Sequence, residues 1–404
     1  MENQQNRTLG AFEKTFWLLD QIDSKDFVLA AEINGRETEG AWQLAIKKVQ
    51  QRHPNLSVKI VMDPFHRPVL KHVPGMEISL RTVDVENDYR WEQEAEKELS
   101  TRFNTETGPL VRVVLVQKPE NTVLLVAASH TISDGTSLTY FIRDVLSAVT
   151  GQELEPMKAQ RSNDEEVGFP EDVAIVGQEQ ATSLENNFKP VFPKVSTLRI
   201  DRETTHKIIE KSRLEGTTVH GVLCAAVLIA SRKMRPEWAD KKIEMISPVC
   251  SRRALKLDDN LGLNITTQAV YFEEEQHLTF WDIARLAKAE LEGTHTVEHV
   301  KNYLGIFRDL TFNSADLQRM IEVLKEAFNH QIMVTNLGRA KFHSDFGKLQ
   351  IKALYGPMVR SGKGHEQTVG AITCNGSLSL TNTSDSPITG LLPAIQKIVR
   401  EACE

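Results

Sequence analysis

The stretch TVLLVAASHTISDGTSLTYFIRDVL, Thr122 to Leu146, constrains the fold of this chain more than any other. Val123 to Ala127 is uninterruptedly apolar, the pattern of a strand buried on both faces. Beyond Asp134, apolar residues recur at Leu138, Phe141, Ile142, Val145 and Val149, the stripe of an amphipathic helix. His130 therefore stands at the end of a core strand, and Asp134 stands where a helix begins. Gly135 supplies a permissive turn residue beside them. A rigid sheet ending on such a turn aims side chains into a crevice. By spacing alone two accounts remain open: a histidine presented to substrate, or a hydrogen-bonded structural histidine followed by an N-capping aspartate.

The segments around this unit alternate between helical and extended patterns. Ala11 to Asp23 and Thr38 to His53 have helical spacing, with Thr38 as N-cap of the second. Strands are expected at DFVLAAEING, Leu56–Val61, Pro68–His72 and Ile78–Val83, and a charged helix over Arg90–Phe103. LVRVVLVQ and TVLLVAAS form a strand pair joined by KPEN. From Leu154 to about Val195 the composition shifts to Glu, Asn, Ser and Pro with little periodicity, which reads as a linker.

The pattern then restarts with STLRID, two helices through Met234, and the strands KKIEMISPVC and NITTQAVYF. Charged helices follow from Thr279 to about Phe328. Strands near HQIMVTNLG, KLQIKALYG and TVGAITCNGSLSLTNT precede a final helix. A chain of 404 residues exceeds one ordinary core. The expectation is two α+β domains: residues 1–153, a linker over 154–195, and residues 196–404.

Several segments, in order, resemble the non-ribosomal peptide condensation domains and the CoA-dependent acyltransferases that share their HxxxDG core. SHTISDG is similar to the HHxxxDG signature. EKTFWLLDQ resembles the first helix of that superfamily, QQRHPNLSVKIV its helix-to-strand passage, and FNTETGPLVRVVLV the strand entry ahead of the motif. GTTVHGVLCAAVLIA, SPVCSRRALKLDDNLGLNITTQAVYF and VTNLGR resemble its second-half elements. The resemblance implies two chloramphenicol-acetyltransferase-like domains, each a mixed sheet flanked by helices, with a tunnel between them as the active site.

It also implies roles. His130 takes the place of the catalytic histidine, a general base that removes a proton from a hydroxyl or amine attacking a thioester. Asp134 takes the place of an architectural acid paired with an arginine, either Arg252 or Arg253. The N–H of Gly135 is expected to face the developing oxyanion, with Thr335 and Asn336 as side-chain donors there or toward a pantetheine arm. Ser129 stands where the superfamily has its first histidine, and Ser129 and Ser133 are expected beside substrate.

The implied function is an acyltransferase of secondary metabolism, moving an acyl group directly from acyl-CoA or an acyl carrier protein to a small alcohol or amine. No GxSxG nucleophile is present. No cofactor beyond the thioester donor and no metal is expected. The competing accounts are a free-standing condensation domain forming an amide, and a silent carrier-binding module, which Ser129 keeps open.

Other signals set limits. Forty-eight basic residues against 55 acidic ones give a net charge of −7, without the basic runs of a nucleic-acid binder. The four cysteines lack CxxC spacing, which disfavours zinc or a disulfide framework. No apolar run reaches the roughly 20 residues of a membrane span. A cytoplasmic monomer is the expectation. His295 and His299 in HTVEH have no third ligand and read as a solvated helix face. RSGKGHEQTVG reads as a crossover loop bordering the tunnel.

Overall fold

The computed structural model describes residues 6–65, 67–171, 192–273, 278–312, 317–362 and 364–404. Its strands are β1 (Arg7–Thr8), β2 (Phe27–Asn34), β3 (Val58–Met62), β4 (Pro68–His72), β5 (Ser79–Asp84), β6 (Val111–Gln117) and β7 (Asn121–Ala128). They continue with β8 (Lys194–Ile200), β9 (Ile243–Cys250), β10 (Ile265–Phe272), β11 (Ile332–Arg339), β12 (Asp345–Phe346), β13 (Leu349–Val359), β14 (Gln367–Cys374) and β15 (Ser377–Ser384). The helices of the first half are α1 (Ala11–Leu19), α2 (Glu39–Arg52), α3 (Glu92–Ser100), α4 (Gly135–Val149) and α5 (Asn163–Glu166). Those of the second are α6 (Arg202–Leu214), α7 (Val219–Met234), α8 (Arg252–Leu255), α9 (Phe280–Ala289), α10 (Val297–Thr311), α11 (Leu317–Ala327) and α12 (Leu391–Cys403).

Two six-stranded mixed sheets carry the architecture, ordered β12-β13-β2-β7-β6-β5 and β10-β9-β11-β14-β15-β8, with a small sheet β1-β4-β3 beside them. The α+β class and the paired sheets flanked by helices follow the expectation. Residues Val123 to Ala128 are all 3% exposed or less, as the apolar run requires, because helices or the second half cover both faces of β7. One apolar core joins the first half to α10, α11 and β13 of the second, with Met333, Ile372 and Cys374 also packed into it, and a separate core fills the rest of the second half.

β12 and β13 lie in the second half of the sequence yet join the first sheet, with β13 antiparallel to β2 from Gln350↔Asn34 to Val359↔Phe27. The sheets meet where β13 passes β14: a Cβ on Gly370 would stand 2.3 Å from the Pro357 carbonyl oxygen. Only the absence of a side chain there permits this approach.

Residues 158–168 of the polar stretch after Leu154 are ordered. Ser162 caps α5, whose Asp164 accepts from the Ala11 N–H (3.0 Å) and from Arg308 (3.1 Å). Asn163 Nδ2 donates to the Leu263 carbonyl at 3.0 Å, and Gln160 exchanges amide hydrogen bonds with Asn264. Residues 158–168 thus strap α1, α10 and the entrance of β10 together. Positions 172–191 of the expected linker lie outside the described residues.

Candidate active site

β7 ends at Ala128 and α4 begins at Gly135, so the HTISDG stretch is the turn between a fully buried strand and a largely buried helix. Asp134 Oδ1 accepts from the Ser137 N–H at 2.8 Å and closes the first turn of α4, the N-cap expected from sequence. Its other oxygen accepts from Arg252 Nη1 and from the Asn264 N–H, each at 2.7 Å. The second Arg252 nitrogen donates to Ser137 Oγ at 2.6 Å. Arg252 is the partner; Arg253, the other candidate, is exposed. Both groups are buried, so the pair is held by charge-assisted bonds on nearly every polar atom, only Arg252 Nε lacking a partner.

His130 is 8% exposed and lies between two aromatic rings, Phe16 at 4.7 Å and Phe27 at 4.1 Å between centroids. Its Nδ1 is 3.1 Å from the Ser133 carbonyl. A carbonyl only accepts, so Nδ1 carries the proton and Nε2 keeps a free lone pair. Burial pushes the imidazole pKa down to about 4, against the opposing pull of the Ser133 carbonyl and of Asp134. The ring is neutral near pH 7, the state in which it takes a proton.

His130 borders a cavity of about 870 Å³ of empty space, part of it open to solvent, lined from both halves of the chain. Gly135 and Thr136 reach it from α4, Pro248 and Cys250 from β9, Thr335 to Leu337 from β11, Pro357 and Val359 from β13, and Arg360 and Ser361 from just beyond it. A Cβ on Gly135 would stand 2.6 Å from Pro357 Cγ and 2.9 Å from a Leu337 methyl, so a glycine is required where α4 meets the second half. The N–H groups of Gly135 and Thr136 are the first two of a 15-residue helix, which no intrahelical carbonyl can satisfy. They give the cavity wall a partial positive charge suited to an oxyanion.

The other candidates divide. Thr335 and Asn336 line the cavity, although Asn336 Oδ1 is already engaged by the Gly338 N–H at 2.8 Å. Ser129 is fully buried behind the histidine, 3.4 Å from Asp20 Oδ2. Ser133 is 2% exposed and contributes its carbonyl, not its hydroxyl, to His130. Neither serine is among the cavity-lining residues. His295 lies in the turn before α10 rather than on a shared helix face with His299, and no metal-holding group of three occurs among the described residues. All four cysteines are free.

Sequence reasoning did not single out Phe16, Phe27 or Lys25 as site residues, whereas RSGKGHEQTVG, read as a loop bordering the tunnel, brings its first residues Arg360 and Ser361 to the cavity. Phe16 carries a signal only through its place in EKTFWLLDQ. Phe27 meets His130 through the pairing of β2 with β7, which sets Phe27 opposite Ala128, and Lys25 joins the cavity just ahead of β2; no local pattern announces either.

The family model described as Condensation domain matches residues 26–164. The model described as the C-terminus of phthiocerol/phthiodiolone dimycocerosyl transferase matches residues 189–259. The first condensation domain of the CDA synthetase superposes with a TM-score of 0.70 at 14% identity, over 98% of this chain and 96% of that one. The chain is thus similar to condensation domains over residues 26–164 and to that acyltransferase over residues 189–259, and it has the fold of the former. It also shares its fold with the TRI3 trichothecene 15-O-acetyltransferase of Fusarium sporotrichioides, at a TM-score of 0.68 and 12% identity, covering 98% of this chain and 95% of that one. Bacitracin synthase 2 of Bacillus licheniformis is 24% identical over 79% of this chain. The chain spans only 13% of that synthase's length. Among the described residues no single helix is long and apolar enough to cross a membrane.

Proposed function

We propose that this protein transfers an acyl group from a thioester, carried by CoA or by a carrier protein, to a hydroxyl or amine. The observation that carries the reading is the His130 tautomer: Nδ1–H is committed to the Ser133 carbonyl, and Nε2 is left as a base at a cavity open to both halves. The acceptor's oxygen or nitrogen attacks the thioester carbon while its proton passes to Nε2. The carbonyl oxygen takes up negative charge beside the Gly135 and Thr136 N–H groups. Collapse breaks the C–S bond, and the imidazolium returns the proton to the departing thiolate. Asp134 and Arg252 hold the turn and take no proton; Asn336 and Thr335 border the acyl group.

Amide formation between two carrier-bound substrates is the second reading, supported by the likeness to a peptide synthase portion. A stand-alone transferase is preferred because the sequence likeness over residues 189–259 is to an acyltransferase. The test is a screen of acyl-CoA and acyl-carrier thioesters against alcohols and amines, wild type beside His130→Ala. Equal rates in both proteins would sink the general-base role, and transfer only between carrier-bound partners would favour the second reading.

A further inference from the structure

Beyond His130, the ionisable side chains that line the cavity include Lys25 and Arg360. The side chain of Lys25 is only 5% exposed. Its ammonium has three N–H donors and two acceptors among the described residues, Asp23 Oδ2 and the Gly362 carbonyl, each at 2.9 Å. A desolvated ammonium facing a cavity with one donor unmatched calls for an oxygen from whatever fills that cavity.

The groups behind it decide which oxygen. Arg360 is joined to Asp385 through both Nε and Nη2 and to Asp23 through Nη1. Glu366 is fully buried beside Gly362, with its carboxylate accepting from the Gly364 N–H at 2.6 Å. Two cations, Lys25 and Arg360, therefore face three carboxylates, Asp23, Asp385 and Glu366. A further anion placed against Lys25 would meet a surplus of negative charge in a desolvated setting. An uncharged acceptor atom meets no such penalty.

We propose that Lys25 forms a subsite for a neutral carbonyl oxygen of a substrate, and that the carboxylates behind it exclude a carboxylate from the same place. The proposal rests on the acyl-transfer reading only for the word substrate; the subsite itself is a binding property. The wall runs from Pro357 of β13, against Gly135, past the end of that strand to Gly362, which holds Lys25. A ligand that reaches both places offers Lys25 a carbonyl other than the reacting one. Two sources fit that chemistry, an amide of the donor's pantetheine arm and a carbonyl of the acceptor.

Cys250 lines the same cavity, and its alkylation by N-ethylmaleimide, read by peptide mass spectrometry, reports occupancy without any turnover. The probes are S-acetylpantetheine, methyl ω-hydroxyoctanoate, ω-hydroxyoctanoate and octanol, against wild type, Lys25→Met and Lys25→Gln, each checked for unchanged thermal unfolding. In wild type, at least one neutral carbonyl probe protects Cys250 at a concentration about tenfold to a hundredfold below octanol and the free acid. Lys25→Met abolishes that advantage, and Lys25→Gln, which keeps a neutral donor, retains part of it. Protection by S-acetylpantetheine assigns the donor arm; protection by the hydroxy ester assigns the acceptor. The proposal is overturned by carbonyl probes no better than octanol, by equal protection from ester and free acid, or by an advantage that persists in Lys25→Met. Absence of acyl transfer would refute the proposed reaction and leave this readout intact.

Discussion

Arg252 Nη1 and the Asn264 main-chain N–H converge on one oxygen of Asp134, each at 2.7 Å, while the other oxygen caps α4. A single carboxylate thus joins the turn bearing His130 to the β9–α8–β10 region of the second half. Its contribution is to shape, so damage to it should appear first in stability. Arg252→Ala strands a buried carboxylate, and the expected cost is about 3–5 kcal/mol. Asp134→Asn should lower the unfolding midpoint or the yield of folded protein along with turnover. A clean loss of turnover in an otherwise unchanged protein would contradict the architectural role.

For His130→Ala the expectation is reversed. Turnover should fall by about two to four orders of magnitude with the fold intact, because only the base is lost. Circular dichroism beside single-turnover rates separates the two effects. A variant that unfolds instead would show that the stacks with Phe16 and Phe27 are the main role of the ring.

The pH profile follows from burial. The His130 pKa is pushed down to about 4 from the ordinary histidine value, so the neutral, active form persists well into mild acid. Turnover should change little between pH 7.5 and 5.5 and fall only as pH approaches about 4. A half-maximal rate near pH 6.5, lost below it, would show a solvated rather than a buried imidazole.

Asp20 and Asp26 offer a second titration. Burial, and for Asp20 the nearby Asp26, raise both carboxyl pKa values above the ordinary range. In this direction folding favours the protonated form: the benefit is present at low pH and is lost as pH rises through the folded-state pKa. Asp26→Asn should therefore raise the unfolding midpoint at pH 8 relative to wild type and give little gain at pH 4. The reverse order would mean that the carboxylate is better solvated than its burial indicates.

Gly135→Ala sets helix propensity against packing. Alanine would favour the helix by about 1 kcal/mol. Its Cβ, however, would stand 2.6 Å from Pro357 Cγ, an overpacking that costs about 1–3 kcal/mol and displaces β13 from α4. Lower stability and lower turnover are expected together; a more stable, fully active variant would mean that the wall yields freely.

The β7–turn–α4 unit was readable because its signals are local: an apolar run, a fixed offset and a capping residue. The choice between Arg252 and Arg253 was not, since two adjacent arginines differ only in which one meets Asp134 across the interface. Gln160 and Asn163 read as linker because polar side chains suit solvent as well as buried partners, and only their bonds to Asn264 and Leu263 distinguish the two. Lys25 gave no signal at all: the loop of Arg360 and Ser361 was readable as a tunnel border, but that it meets Lys25 follows only from the pairing of β13 with β2 beside it.

The passage of β13 into the first sheet limits how this molecule can be dismantled. A gene cut within residues 154–195 would separate β2 from the partner it pairs with from Phe27 to Asn34. The severed amino-terminal fragment would then bare a long, apolar strand edge, the kind of surface that recruits other chains and precipitates. Co-expressed fragments could regain that edge only by threading one strand across the seam, so reassembly would be a folding reaction rather than a docking of two finished bodies.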